Sequence, residues 1–71
     1  MTEIERRAEK GKFLVLGEDA FDMPPEEYIV AENVLTFEEA IKAADEEGGE
    51  MNPVTVYDDQ GKEVYRCGST D

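Results

Sequence analysis

Residues 35–49 read LTFEEAIKAADEEGG, and this stretch decides the fold. Thr36 and Glu39 stand at the S/T-x-x-E spacing of a capping box. In that box the threonine hydroxyl accepts from the N–H of residue 39, and the glutamate reaches back to the N–H of residue 36. Leu35, just before the cap, is placed to staple onto Ala40. Phe37, Ala40, Ile41 and Ala44 recur at i, i+3, i+4 and i+7, which draws one apolar stripe. The spacing predicts a helix over 36–47, ended by Gly48 or Gly49 in the left-handed conformation. Asp45, Glu46 and Glu47 crowd the end where the helix dipole favours cations, so that end is expected to fray or to meet a cationic neighbour.

A single apolar stripe cannot bury itself and must lie on a sheet. The flanking sequence supplies one. Upstream, KFLVLG (12–17) is an apolar run of strand length closed by Gly17, and EEYIVAEN (26–33) is a second strand through Tyr28, Ile29 and Val30. Downstream, Pro53 opens PVTVYDDQGKEVYRC, in which Val54 and Val56 alternate with Thr55 and Tyr57. Asp58 to Gly61 form a turn cluster, with Gly61 suited to a positive φ, and Lys62 to Cys67 return. The element order is strand, strand, helix, strand, strand. The fold class expected is α+β: a small two-layer ββαββ domain, with a mainly antiparallel four-stranded sheet and one helix packed on one face. Residues 12–67 form the domain, residues 1–11 a charged arm that is frayed or a short helix, and residues 68–71 a tail.

The chain has 71 residues, enough for one domain. A domain of this size buries only roughly 60% of its unfolded surface, so its stability is expected to be modest. The single cysteine, Cys67, cannot form an internal disulfide, and MTEIERRAEKGK lacks the apolar stretch of a signal peptide; both favour a cytoplasmic setting. No run approaches the roughly 20 apolar residues of a membrane span. Charge is the boldest feature, with 19 acids against 7 bases and a net charge of −12. It is uneven: residues 1–12 hold four bases and three acids, and the remaining residues hold three bases and sixteen acids. Such a surface repels phosphate backbones and anionic membranes, so direct nucleic-acid and membrane binding are not expected. It attracts a basic protein surface.

The chain has no histidine, which removes the usual general base and the commonest transition-metal ligand. There is no CxxC, no phosphate-binding glycine loop and no GxGxxG, and DEEGGE lacks the spacing of a calcium loop. Paired carboxylates need a cleft that drives their pKa values apart, and so small a domain offers little material for one. The chain is therefore read as non-catalytic, with no cofactor and no metal. Cys67 reads as a small apolar side chain. Arg66 is expected on the opposite face, so it need not activate the thiol.

Two groups of residues are candidates for binding a partner. Glu38, Glu39, Asp45, Glu46 and Glu47 lie on the outer face of the helix, around Lys42, and the first four are the binding candidates. They are either a solvated surface braced by a Glu38–Lys42 pair or a negative strip that occupies Arg and Lys groups as a nucleic-acid backbone would. Phe21, Asp22 and Met23 lie in EDAFDMPPEE (18–27). The two apolar residues there either fold back over an open edge of the core or act as anchors in an acidic rim.

The stretch AENVLTFEEAIKAADEE, placed after two strands, resembles a pattern of small bacterial and phage domains: Ala-Glu or Ala-Ser after a strand, then Thr-x-x-Glu-Ala-x-x-x-Ala, then a strand. The matching positions are Ala31, Glu32, Thr36, Glu39, Ala40 and Ala44. The small acidic phage inhibitors of bacterial RNA polymerase are similar in element order and helix pattern. The resemblance implies the same fold and a negative strip that meets a basic surface of an enzyme. This chain departs from those inhibitors in having no tryptophan, in the EDAFDMPP loop and in its full C-terminal hairpin, and no functional residue carries over. The expected function is that of a small acidic binding protein, possible inhibitor or nucleic-acid mimic, directed at a basic surface such as that of a nucleic-acid-handling enzyme. The other expectation is an accessory structural domain that joins an assembly through a strand edge or the Phe21/Met23 loop.

Overall fold

A computed structural model describes residues 7–19, 24 and 26–68. The Phe21–Asp22–Met23 candidates, residues 1–6 of the arm and residues 69–71 of the tail lie outside the described residues. The elements are β1 (Phe13–Asp19), β2 (Glu26–Val34), α1 (Phe37–Glu47), β3 (Val54–Tyr57) and β4 (Glu63–Cys67), in the expected order ββαββ. The four strands form one antiparallel sheet in the order β2-β1-β3-β4. The two central strands are therefore the most apolar, and β2 and β4 are its edges.

The helix lies on one face of the sheet. Its two alanines make that close approach possible: Ala40 and Ala44 are fully buried against Val15 of β1 and Val54 and Val56 of β3. Strand alternation sends Leu14 and Leu16 to the other face. The edge strands use bulges to turn adjacent apolar residues toward the helix. In β2 the register slips between Val15↔Ala31 and Leu16↔Ile29, which inserts Val30, and both Val30 and Ala31 pack against the core. A second slip, between Phe13↔Val34 and Val15↔Ala31, places Asn33 at φ 56°. Asparagine is among the few non-glycine residues that tolerate that conformation. A slip in β4 inserts Val64, so that Val64 and Tyr65 both reach the core.

One half of the expected capping box forms, and the return bond from the Thr36 N–H to the Glu39 carboxylate is not found among the described residues. Thr36 is extended, and its hydroxyl accepts from the N–H of Glu39 at 3.1 Å. Other local expectations fail. Leu35 is 68% exposed, so it does not staple the cap. Phe37 is 39% exposed, because its ring meets Phe13 at the rim of the core, with centroids 5.5 Å apart, and does not enter it. Gly48 ends the helix in an extended conformation, φ −66° and ψ 144°, and not a left-handed one. The positive φ falls instead on Met51, inside a tight turn that Gly49 and Asn52 close with two N–H···O bonds of 3.2 Å. Gly48 is needed for space: a Cβ there would lie 2.7 Å from the Cys67 sulfur.

The hairpin follows the sequence closely. Asp58 organises the turn, its Oδ1 accepting from the N–H groups of Gln60 at 2.9 Å and Lys62 at 2.8 Å, and Gly61 has φ 77°. The described end of the N-terminal arm is tied to this turn. The Ala8 N–H donates to the Asp58 carbonyl at 3.1 Å, and the Gly11 N–H to the Asp59 carboxylate at 2.9 Å.

Candidate acidic interface

The last turn of α1 carries no base, yet the helix runs to Glu47. Neither fraying nor a cation resolves the clash with the dipole; two tyrosines do. Asp45 and Glu47 project from opposite flanks of the helix, because two residues turn it by roughly 200°. Each flank faces one edge of the sheet. From β4, the Tyr65 hydroxyl donates to Asp45 Oδ1 at 2.6 Å. From β2, the Tyr28 hydroxyl lies 2.9 Å from both Glu47 Oε1 and Asn52 Oδ1, so its one proton serves two acceptors in turn. Asn52 completes the node by donating its amide to the Glu47 carbonyl at 2.9 Å, which satisfies one of the helix's terminal carbonyls.

Tyr28 reaches this position by lying across Gly17. A Cβ on residue 17 would come 2.5 Å from the ring, so glycine in the central strand is what lets an edge-strand phenol cross to the helix. The environments of both phenols favour their neutral forms. Burial pushes the Tyr28 phenol above its ordinary value; Asn52 pulls it back, and Glu47 adds to the rise. For Tyr65 the hydrogen bond to Asp45 is the main cause of a rise. Cys67 sits beside them, its thiol donating to the Ala44 carbonyl at 3.0 Å, and burial, followed by Asp45, raises it above the ordinary thiol value. That is the opposite of an activated cysteine. Arg66 points away and pairs with Glu63 at 2.9 Å.

The remaining candidates lie on the outer face of α1. Glu38, Glu39 and Glu46 are exposed, as is Lys42 among them. Glu38 and Lys42 stand four residues apart, but their expected brace is not formed among the described ion pairs, which include Lys12–Glu9 and Arg66–Glu63. Positions 38, 42 and 46 run about 12 Å along the helix. The structure thus brings Glu38, Glu39 and Glu46 together with Asp45 at the flank of the row, where Tyr65 holds it.

A second acidic place closes the β1–β2 pair. Glu18 faces Glu27 and Asp19 faces Glu26, so four carboxylates frame the segment that holds Phe21, Asp22 and Met23. Like charges directly opposite cost stability in a sheet. Asp19 and Glu27 each have an interaction partner. No cluster of three or more potential metal ligands is found among the described residues, and no described helix is long and apolar enough to cross a membrane.

Sequence reading missed Tyr28, Tyr65 and Asn52, and it set Glu47 on the outer face, whereas Glu47 is bound by the Tyr28 hydroxyl at the flank of the helix. The available signal was the surplus of acids at the helix end, which required donors from elsewhere, together with phenols on the two edge strands. Comparison with known proteins finds no matching family model, no matching curated protein and no matching solved structure.

Proposed function

We propose that the protein is a small non-catalytic binding protein that engages a basic surface of a partner protein through the outer row of α1. The observation that supports this reading is how the helix divides its acids. Asp45 and Glu47 are bound by phenols, whereas Glu38, Glu39 and Glu46 are exposed on the outer face and open to guanidinium or ammonium groups. With a net charge of −12, encounter with a basic surface is steered and sensitive to salt. The partner class is a nucleic-acid-handling enzyme in a cytoplasmic setting, whose phosphate-binding groups the carboxylates occupy; the resemblance to acidic phage inhibitors points the same way. The Phe21/Met23 segment, framed by Glu18, Asp19, Glu26 and Glu27, adds apolar anchors.

The test is affinity capture from a bacterial lysate with washes at about 0.1 M and about 1 M salt, between which the Debye length falls from roughly 10 to 3 Å. The expected outcome is retention of a nucleic-acid-handling protein at low salt, release at high salt, and loss of capture by a Glu38→Lys, Glu39→Lys, Glu46→Lys variant. Capture of the same protein by that variant sinks the proposal. A partner that survives the high-salt wash favours the second reading, an accessory domain that joins an assembly through a strand edge. The edge used would be β4, whose pairing carries one register slip against two in β2.

A further inference from the structure

The start of α1 leaves apolar side chains outside the core. Ile29, Leu35 and Phe37 are the large apolar residues exposed among the described residues, and the last two flank the helix cap at Thr36. Thr36 is extended, with φ −129° and ψ 151°, so the side chains of residues 35 and 37 leave the chain on the same side. Ile41, one turn after Phe37 and on the same side of the helix, is only half-buried. At about 100° per residue, the row through Phe37 and Ile41 is bordered by Asp45 and Glu38. An apolar strip and an acidic strip therefore lie side by side on one exposed flank of the helix.

We infer that the partner of the proposed function, on which this inference rests, presents a basic amphipathic helix to this flank. Its apolar residues cover Leu35, Phe37 and Ile41, and its arginines or lysines meet Glu38 and Asp45. Three observations select that occupant. The border of the strip is acidic on a chain of net charge −12, so the complementary segment is basic. Asp45 takes part although Tyr65 holds its Oδ1, because a carboxylate accepts at two oxygens. The spacing is helical: residues 37 and 41 rise about 6 Å along α1, which matches the i, i+4 ridge of a second helix laid beside it. The surface also offers side chains and no open main-chain groups, which a paired strand needs. Large apolar anchors beside a charged rim are where binding energy concentrates. Lys42, the one base of α1, adjoins Glu38 and sets the register, since the partner helix places no base opposite it.

The test is NMR titration of the full chain with two synthetic helical peptides of equal positive charge. One is built of lysine and leucine, with the leucines along one face; the other has alanine in place of every leucine. The lysine–leucine peptide is expected to bind about tenfold more tightly, the change that burial of one leucine side chain brings. It is expected to shift the Leu35 and Ile41 methyl signals and the Phe37 ring signals most. Leu35→Ser, a change at an exposed position, removes most of that advantage and leaves the affinity for the lysine–alanine peptide unchanged. Equal affinities of the two peptides, or an undiminished advantage in Leu35→Ser, overturn the inference while the charge-led function stands. Largest shifts at Leu14, Leu16 and Ile29 give the docking to the open sheet face and overturn it, as do largest shifts at the β4 amides, which give it to strand pairing. A lack of shift at the Glu38, Glu39 and Glu46 amides with both peptides overturns the charge-led function as well.

Discussion

The last turn of α1 and its outer row hold the same kind of residue and use it in opposite ways. Asp45 and Glu47 act as acceptors for the sheet's two edge strands. Glu46, between them in the same turn, and Glu38 and Glu39, about two turns upstream, face outward. The difference is positional. Residues 45 and 47 fall on the flanks of the apolar stripe, within reach of β4 and β2, while 38, 39 and 46 fall away from the sheet. A count of acids therefore overstates the charge offered to a partner. Some carboxylates hold the fold together, as Asp58 and Asp59 do in the hairpin turn, and the rest define the surface.

The largest expected effect comes from breaking the structural side of this contrast at its support. Gly17→Val drives a side chain into the Tyr28 ring and displaces the phenol from Glu47 and Asn52; the expected loss is about 3 kcal/mol, read from the denaturation midpoint. An unchanged midpoint would show that the ring has room to move, and that the clamp is not seated on Gly17. Asp58→Ala follows, with a loss of about 1.5 kcal/mol for two charge-assisted bonds to backbone at an exposed turn.

Tyr28→Phe keeps the ring and removes only the hydroxyl, with an expected loss of about 1 kcal/mol. This variant also sharpens the contrast through pH. The folded-state values of Tyr28 and Tyr65 lie above the ordinary phenol value of 10.0, so the neutral phenol is favoured in the fold. Their contribution is complete below the unfolded value and is lost as pH rises through the folded one. Thermal melts of the native chain are expected to fall above about pH 10, and the double variant Tyr28→Phe, Tyr65→Phe is expected to flatten that fall. A fall of the same depth in the double variant would assign it to other groups. The smallest effect on stability is expected for the reversed outer row. Lysine at 38 and 39 opposes the dipole at the helix start and lysine at 46 suits its end, so the net change stays within about 0.5 kcal/mol. A larger loss would place those glutamates among the structural acids.

The architecture was legible because each element carries its own punctuation. Thr36 and Glu39 start the helix, Asp58 to Gly61 turn the hairpin, and Val54 and Val56 alternate into the core. These signals are local. The clamp is not, because it depends on strand order: only when β2 and β4 become the edges do Tyr28 and Tyr65 stand on either side of α1. The double glycine at 48–49 misled for a related reason. It is read as a left-handed stop, but the demand at residue 48 is room for the Cys67 sulfur on β4, a neighbour remote in sequence. Of the candidate site, the outward direction of Glu38, Glu39 and Glu46 followed from helical spacing alone. The commitment of Asp45 to Tyr65 required the fold.

The phenol–carboxylate contacts have an optical consequence. The chain has three tyrosines and no tryptophan, so tyrosine is its only strong emitter in the near ultraviolet. An excited phenol is a far stronger acid than its ground state and passes its proton readily to a carboxylate in contact. Tyr65 at 2.6 Å from Asp45, and Tyr28 beside Glu47, are therefore expected to be dimmed in the folded chain. Tyrosine emission is expected to brighten on unfolding, and to serve as a reporter of any separation of the helix end from the sheet without an added dye.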